Sequence, residues 1–482
     1  MSGRKIIGNA IFYSLGEIIP RILAFLLLPI LTSYLTTAEY GINSYITAIM
    51  TFVFVVASLS LNTYVLKQYF LEDGEENRRK LIGGIFLFIC IFNLLLVVIQ
   101  VLIIPRALEA FHIKIPFYPY FFLGILNNFF DVISIIPLVV YRVKGSAKGF
   151  FYLSVSRIVL QYAAIYILVA FFKMGLLGTF YGRLVVNIFY IAVYLVVIYR
   201  NGIIKFSRSL MKDALTFSLP LLPGSLSYLI ITLSDRIILE RYVSLNDMGI
   251  YSVAFTLALA LNVVVQALYK TLEPILLREY HRKGFERLNV RLFRYYLLLI
   301  FTGGFTIALL GKEVFQLAIS KSFFAGYKII SIMTVSVIIS GVNVYLNTLL
   351  IAATRHKIIS VATVISAVIS IVVNILLISK IGYTGAAIAA ILASCTANVI
   401  SHANIKMQHR LIIPQVILLL LVAGMPFLMD YLLPGTMLIW GAIFIKVIII
   451  LAFAGIAFLL LGCQLKEDMH VLGIIKGQDK SV

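Results

Sequence analysis

The second half of this chain repeats part of the first half at an offset of about 208 residues. The segment YLTTAEYGINS at 34–44 returns as YVSLNDMGIYS at 242–252. A second pair has almost the same offset, because KMGLLG at 173–178 returns as KIGYTG at 380–385. Each copy carries an even number of apolar spans, so both copies enter a bilayer in the same direction. Parallel repeats of this kind underlie alternating access in several secondary transporters.

The composition is that of an integral membrane protein. Of the 482 residues, 62% are hydrophobic and only 12% are charged, whereas about a quarter of the residues in a soluble domain are charged. Fourteen apolar segments reach the roughly 20 residues that a membrane helix needs. The predicted spans are 10–34, 42–66, 81–104, 117–141, 150–172, 176–199, 214–239, 248–270, 292–311, 328–351, 359–378, 383–404, 414–433 and 438–461. The sequence therefore predicts an all-α polytopic membrane protein.

The duplication divides these spans into two lobes of six helices each. The N-lobe is predicted at 1–205 and the C-lobe at 206–410. A further pair of spans at 411–463 lies outside the duplication, and a polar tail follows at 464–482.

The positive charges predict the orientation of the chain. With the N-terminus inside, the inner loops carry about 27 Lys and Arg residues and the outer loops about 8. Both termini are therefore predicted to be cytoplasmic, and the net charge of +20 is interpreted as orientation rather than nucleic-acid binding. The loops are too short for a soluble catalytic domain, and no phosphate-binding loop motif occurs. The three cysteines are far apart and predict no metal site.

Ionisable residues inside the spans carry most of the functional information, because charge at membrane depth is costly and usually faces a polar interior. Cations exceed anions by two in this set, which favours an anionic substrate, and arginine suits phosphate oxygens because its fork binds two of them at once. The embedded cations are Arg21, Arg157, Arg183, Arg236 and Lys446, and the embedded anions are Glu17, Asp131 and Asp235. All of these cations except Lys446 are candidate substrate ligands, and the three anions are candidates for gating or ion coupling.

For two pairs of embedded charges, a structural role and a functional role are compatible. Arg21 lies one helical turn after Glu17, so the two can form an ion pair, while Arg21 can also bind phosphate in a central cavity. Asp131 and Arg157 lie on neighbouring spans in the inner half of the bilayer. They predict a cross-helix ion pair, completed by Asn127, which can also switch between two conformations.

The remaining embedded charges lie in the outer part of the bilayer. Asp235 and Arg236 are adjacent and point about 100° apart on a helix, so they are not expected to pair with each other. They either reach water at the interface or form an outer gate or substrate contact, and the Pro220–Gly224 segment predicts a break at the start of their helix. For Arg183, a role in helix packing and a role in substrate contact are equally consistent with the sequence. Lys446 is expected to reach the lipid headgroups.

Several motifs resemble one membrane transporter family. The first lobe carries FLLLPILTSYL at 25–35 followed by EYG at 39–41. The second lobe carries FSLPLLPG at 217–224, SDR at 234–236 and GIYS at 249–252. In these motifs, and in its span number and loop pattern, nearly the whole chain resembles Wzx-type O-antigen and polysaccharide flippases. These form the polysaccharide transporter branch of the multidrug/oligosaccharidyl-lipid/polysaccharide (MOP) exporter superfamily.

The resemblance implies a MATE- and MurJ-like fold, with two six-helix lobes around a cavity and two additional C-terminal helices. It implies that undecaprenyl-pyrophosphate-linked oligosaccharide is moved from the cytoplasmic to the outer leaflet of the bacterial cytoplasmic membrane. Arg21 and Arg236 are the best matches to the cationic cavity of the family. The resemblance also implies coupling to a proton or sodium gradient, no bound cofactor, and a polysaccharide polymerase and chain-length regulator as partners.

Three alternatives remain open from the sequence. A flippase for a lipid II-type peptidoglycan precursor would handle a similar anionic lipid headgroup. A multidrug or cation antiporter of the same superfamily shares the two-lobe plan, but it is expected to place unpaired carboxylates in its lobes. A non-transporting scaffold of a polysaccharide assembly complex would not need charges at membrane depth.

The predicted orientation can be measured with reporter fusions. Alkaline phosphatase fused after His112, in a predicted outer loop, should be active because the enzyme matures only outside the cytoplasm. The same enzyme fused after Ile204, in a predicted inner loop, should be inactive, and a fluorescent protein should give the reciprocal pattern. The opposite pattern at both positions would reverse the orientation.

Overall fold

The computed structural model describes residues 3–405, 411–433 and 438–463, and its description of side chains in the first helix excludes residues 3–11, 14, 17 and 21. The described residues form eighteen α-helices and contain no β-strand. The helices are α1 Gly3–Tyr34, α2 Thr37–Ser58, α3 Leu61–Leu71, α4 Glu75–Ala110, α5 Phe122–Ile133, α6 Ile135–Val143, α7 Ala147–Tyr166, α8 Gly175–Asn201, α9 Arg208–Ser218, α10 Leu222–Tyr242, α11 Leu245–Ala258, α12 Ala260–Glu279, α13 Phe285–Ala318, α14 Tyr327–Ala352, α15 His356–Ile381, α16 Tyr383–Ala403, α17 Ile412–Leu432 and α18 Ile439–Leu460.

The helices reproduce the predicted membrane spans. By length and composition, thirteen helical segments of the described chain are able to cross a bilayer, and they coincide with the second to fourteenth predicted spans. The first predicted span, 10–34, falls within α1. The prediction of an all-α polytopic membrane protein is confirmed.

Several spans consist of two helices joined by a break inside the segment. The span of α5 and α6 breaks at Ser134, because Pro137 has no N–H and its ring crowds the carbonyl group of Ile133, four residues earlier. The Ser134 hydroxyl donates a hydrogen bond of 2.6 Å to the Asp131 carbonyl group and satisfies part of the exposed backbone. The predicted break at Pro220–Gly224 is also present, where a 3-10 turn separates α9 from α10.

The first repeated motif encodes the same helix start twice. At the start of α2, the Thr36 hydroxyl accepts from the Glu39 backbone N–H at 3.2 Å, and the Glu39 carboxylate accepts from the Thr36 backbone N–H at 2.9 Å. At the start of α11, the Ser244 hydroxyl accepts from the Asp247 backbone N–H at 3.1 Å and donates to the Asp247 carboxylate at 2.7 Å. Such reciprocal capping fixes where a helix begins. The duplication therefore preserves two equivalent helix boundaries.

The second repeated motif encodes two equivalent turns between helices. Gly175 and Gly382 have positive φ angles of 54° and 62°, a conformation that glycine adopts without steric cost. Three residues later, Gly178 and Gly385 each lie directly against the preceding helical segment. An added Cβ on Gly385 would overlap the backbone of Leu377, and one on Gly178 would overlap the Val169 side chain and lie 3.1 Å from the backbone. Glycine is required at these positions because two backbones meet there.

The described chain forms two compact units, residues 1–252 and residues 253–482. In the first unit, α1 packs on α7, α5 packs on α8, and α10 packs on α2. In the second unit, α14 and α15 pack on α16, while α17 and α18 pack on α13. The lobe boundary after residue 205, which follows from the duplication, stays a prediction.

The equivalent glycines provide a test of the duplicated turns. Gly178→Ala and Gly385→Ala should each destabilise the protein by about 1–3 kcal/mol, because a methyl group forced into backbone contact causes overpacking. The measurement is the thermal unfolding midpoint of the purified protein in detergent. Gly455→Ala on α18 is the matched control, because nothing lies within 4 Å of its added Cβ. Equal midpoints for all three variants would contradict the described packing.

Candidate functional site

A polar cavity of about 380 Å³ lies within the first unit. It is lined by α2, α5, α7 and α8, and the break at Ser134 lies on its wall. Most of its polar lining comes from α5, α7 and α8: Asn127, Asn128, Asp131, Arg157, Gln161 and Arg183. Asp131 and Arg157, which the sequence predicts to pair, therefore share one site with Arg183, which the sequence identifies separately.

Asp131 joins the three helices that carry these charges. One carboxylate oxygen accepts a hydrogen bond from Nη2 of Arg157, and the other accepts from Nη2 of Arg183 at 2.9 Å. Arg157 is on α7 and Arg183 is on α8, whereas Asp131 is on α5. The predicted ion pair between Asp131 and Arg157 is present, and Arg183 is a second cation that the sequence does not connect to it.

The guanidinium group of Arg157 is fully engaged by the protein. Its Nη1 donates to the Ser134 hydroxyl at 3.1 Å, and its Nε and Nη2 donate to the Asn187 side-chain oxygen at 3.3 and 2.9 Å. Only 12% of the side chain is exposed. Arg157 is therefore held in one orientation by all three of its nitrogen atoms.

Side-chain amides complete the network around Arg157. Asn187 donates to the Asn127 side-chain oxygen at 3.2 Å and accepts from Gln161 at 2.7 Å. Asn127 in turn donates to the carbonyl groups of Leu123 and Phe180 at 3.0 and 3.1 Å. Buried amides that are satisfied in this way fix the positions of neighbouring helices. Asn127 completes the network, as the sequence predicts, but it does so through Asn187.

Arg183 differs from Arg157 in the number of its N–H donors that make no hydrogen bond to the described residues. Its only hydrogen bond to the described residues is the one from Nη2 to Asp131. The side chain is 36% exposed and lines the cavity. Arg183 therefore presents most of its guanidinium fork to the interior, in a form that suits phosphate or carboxylate oxygens.

Asp235 and Arg236 form a separate buried cluster, which corrects two expectations from the sequence. They pair with each other, with Nη1 of Arg236 lying 2.9 Å from a carboxylate oxygen of Asp235. They do not reach water, since their exposed fractions are 5% and 6%. The reason is that the Arg236 side chain folds back along α10, where its Nε also donates to the Ser44 hydroxyl at 3.2 Å. The Tyr251 hydroxyl donates to the other oxygen of Asp235.

This second cluster lies where the two copies of the first repeated motif meet. Ser252 donates to Ser44 at 2.8 Å, and the two serines occupy equivalent positions of the repeat. An added Cβ on Gly41 of α2 would overlap the α11 backbone, and one on Gly249 of α11 would overlap the α2 backbone. The contact between α2 and α11 is therefore reciprocal, and both glycines are needed for it.

Lys446, in the second unit, does not reach the lipid headgroups as the sequence predicts. It is 2% exposed, and its Nζ lies 2.8 and 2.9 Å from the two carboxylate oxygens of Glu313. The amine also donates to the Leu309 carbonyl group at 2.9 Å. The prediction is wrong because α13 continues beyond the predicted span 292–311 and brings Glu313 opposite Lys446. Glu313 is missed by the sequence analysis, since it follows the apolar segment.

The side chains of Glu17 and Arg21 lie outside the described part of the structure, although both residues belong to α1. Their predicted ion pair and the predicted phosphate contact of Arg21 stay predictions. Among the described residues, no group of three or more His, Cys, Asp or Glu side chains is arranged to hold a metal ion.

Comparison with known proteins identifies the family. The family model described as polysaccharide biosynthesis protein matches residues 6–279, more than half of the chain. This chain belongs to the polysaccharide biosynthesis protein family. A Haemophilus influenzae protein of the Lsg locus is 21% identical over 276 residues, which cover 56% of this chain and 65% of that protein. The matched region thus spans less than two thirds of that relative. The family match confirms the resemblance predicted from the motifs.

Solved structures show the fold of this family member. The lipid II flippase MurJ, in an inward closed conformation, is similar with a TM-score of 0.73 and 15% identity, covering 93% of this chain and 99% of MurJ. A variant of the Vibrio cholerae MATE transporter VcmN is similar with a TM-score of 0.57 and 13% identity, covering 83% and 96%. At these identities the likeness concerns the fold alone, and the predicted MATE- and MurJ-like architecture is confirmed.

The role of Asp131 in holding the cavity can be measured directly. Asp131→Asn should destabilise this polysaccharide biosynthesis family protein by about 3 kcal/mol, because removing one member of a buried ion pair leaves its partners uncompensated. The thermal unfolding midpoint of the purified protein should fall accordingly. Adding Arg157→Gln to Asp131→Asn should recover part of the loss, because it removes one unpaired charge. An unchanged midpoint for Asp131→Asn alone would contradict the network.

Proposed function

We propose that this protein is a flippase that moves undecaprenyl-pyrophosphate-linked oligosaccharide from the cytoplasmic to the outer leaflet of the bacterial cytoplasmic membrane. The observation that carries the proposal is the charge of the cavity in the first unit. Its lining contains the guanidinium groups of Arg157 and Arg183 and one carboxylate, that of Asp131. An excess of positive charge at membrane depth suits an anionic headgroup and lowers the cost of carrying it across the bilayer.

The two arginines of the cavity have different proposed roles. Arg183 binds the pyrophosphate, because its remaining N–H donors have no partner among the described residues. Arg157 orients Asp131, which in turn holds Arg183, because all three nitrogen atoms of Arg157 are engaged within the protein. Arg21 remains a proposed second phosphate ligand from α1.

The α2–α11 contact is the proposed outer gate of the transport path. Asp235 and Arg236 brace it on α10, and the orientation predicted from the positive charges places the starts of α2 and α11 on the outer side. Opening would separate Ser44 from Ser252 and expose polar atoms that water can then bond. The proposed movement is rocking of the two predicted lobes against each other, with the polyprenyl tail remaining in lipid.

A membrane gradient is the proposed source of energy, in the form of protons or sodium ions. Asp131, Glu17 and Asp235 are the proposed carboxylates for gating or coupling, since ionisable groups at membrane depth commonly serve proton and ion pathways. No bound cofactor and no enzymatic step are part of the proposal. A polysaccharide polymerase and a chain-length regulator are the proposed downstream partners.

The rival functions differ in the headgroup that they require. A cation antiporter needs a carboxylate excess, whereas the described cavity has two guanidinium groups for one carboxylate. A lipid II-type precursor presents the same diphosphate, so cavity charge does not separate it from an oligosaccharide repeat unit. Leaflet assays with both lipids decide between them.

The proposed function is tested in cells that lack the gene and contain radiolabelled lipid-linked oligosaccharide. The labelled lipid should accumulate in the cytoplasmic leaflet, protected from an impermeant reagent added outside, and the wild-type gene should restore its exposure. Arg183→Ala should reduce the rate of exposure at least about tenfold, because a charge-assisted hydrogen bond contributes about 1.5–3 kcal/mol. Arg183→Lys should be intermediate, because lysine keeps the charge but loses the planar fork.

The controls separate transport from folding and from the rival functions. Arg106→Ala is the matched arginine control, because its guanidinium group is exposed and bonds only the Leu102 carbonyl group among the described residues. Protein levels should be equal in all variants. An unchanged leaflet distribution in cells without the gene would overturn the proposal. Trapped peptidoglycan precursor, or lost efflux of a cationic dye, would support the corresponding rival.

A further inference from the structure

Asn128 is a buried amide that the cavity network does not use. It lies on α5 with 7% of its surface exposed, and it lines the cavity. Its side chain makes no hydrogen bond to the described residues. Its side-chain oxygen and nitrogen are not among the enclosed side-chain atoms that lack a partner, so both are open to the cavity, where water or a ligand can bond them. Asn128 therefore presents both a donor and an acceptor to the cavity.

The neighbouring amide shows that Asn128 is not part of the packing framework. Asn127 is 2% exposed and bonds two backbone carbonyl groups and Asn187. Asn128 is on the same helix and nearly as buried, yet it contributes no such bond. The two adjacent asparagines thus divide into one that holds the helices and one that faces the cavity.

Asn128 and two threonines form one wall of the cavity, and we call this set of neutral polar groups the neutral wall. Thr47 and Thr51 line the cavity from α2, one helical turn apart. The Thr51 hydroxyl donates to the Thr47 carbonyl group at 2.7 Å, while the Thr47 hydroxyl has no hydrogen-bond partner among the described residues. Asn128 itself lies one turn from Asp131 on α5, so the neutral wall adjoins the charged group. The cavity therefore has a cationic part and a neutral, hydrogen-bonding part side by side.

The cationic and neutral parts of the cavity lie close together. Both line a volume of about 380 Å³, near the lower end of the roughly 300–1,000 Å³ found for small-molecule sites. A ligand that binds one part therefore places its adjoining group against the other. With the diphosphate on Arg183, the neutral wall lies beside the first sugar.

We propose that Asn128 recognises the sugar bonded directly to the diphosphate, and that this sugar is neutral, with hydroxyl or acetamido groups. The inference rests on the proposed function and deepens it by naming the class of the first sugar. Among the described lining residues the cations are Arg157 and Arg183, so an acidic sugar on the neutral wall would lack a positive partner. A carboxamide matches a hydroxyl or acetamido group because it donates and accepts at once.

The test measures binding of three lipids to the full-length protein in nanodiscs. The probes are undecaprenyl diphosphate, the same lipid carrying one N-acetylhexosamine, and the same lipid carrying one hexuronic acid. Wild type should bind the N-acetylhexosamine lipid about five- to tenfold more tightly than the bare diphosphate, the effect of one or two hydrogen bonds. It should show no such preference for the hexuronic acid lipid.

Three variants make the outcome specific to Asn128. Asn128→Leu should lose the preference for the N-acetylhexosamine lipid without a fall in thermal stability, because no protein hydrogen bond is removed. Arg183→Ala should weaken binding of all three lipids. Thr47→Val supplies a second probe of the neutral wall, with a partial loss of the preference. The exposed residue Asn77, which bonds the Asp73 carbonyl group outside the cavity, provides the matched control Asn77→Leu.

The results separate this inference from the proposed function. If wild type binds the diphosphate lipids and Asn128→Leu keeps the full sugar preference, the role of Asn128 is overturned while the flippase proposal stands. A wild-type preference for the hexuronic acid lipid would overturn the neutral-sugar assignment. If wild type binds none of the three lipids, the proposed function itself fails, and the inference fails with it.

Discussion

The carboxylate of Asp131 determines how the cavity in the first unit is built. It is the one anion between two arginines in the described lining, and each arginine comes from a different helix. In a medium where charge is costly, this arrangement ties α5, α7 and α8 together through side chains rather than through apolar contact alone. The broken helix at Ser134 belongs to the same arrangement, because its hydroxyl bonds both the Asp131 backbone and Arg157. Helix packing and the charge of the cavity therefore depend on the same few atoms.

The apolar spans and the duplication could be predicted because both are visible in the order of residues along the chain, without knowing which helices meet. Helix length and hydropathy fix the spans, and Asp131 and Arg157 could be paired because their spans are neighbours of similar depth. The prediction that Lys446 reaches the headgroups is wrong because its partner lies on a helix that continues beyond the apolar segment. The expectation that Asp235 and Arg236 do not pair is wrong because helical geometry gives only the direction in which a side chain leaves the helix, whereas a long arginine side chain can bend back to its neighbour.

The division of roles inside the cavity could not be predicted from residue types. Arg157 and Arg183 are chemically identical, and only the number of protein hydrogen bonds separates the engaged residue from the one that faces the cavity. The same holds for Asn127 and Asn128, which are adjacent in the chain. Such differences arise from which faces of several helices meet, and a single sequence does not contain that information.

The reciprocal contact between α2 and α11 has the form of an isologous interface, in which a patch meets its own copy about a twofold axis. Ser44 faces Ser252, and Gly41 and Gly249 each admit the opposite backbone. In a symmetric dimer of a single-copy ancestor, one substitution at such a position would have altered both sides at once. Fusion into one chain removes that coupling, so the two serines and the two glycines are free to diverge separately. The surrounding cluster differs between the repeats, since Asp235 and Arg236 correspond to Leu27 and Leu28 at the same offset.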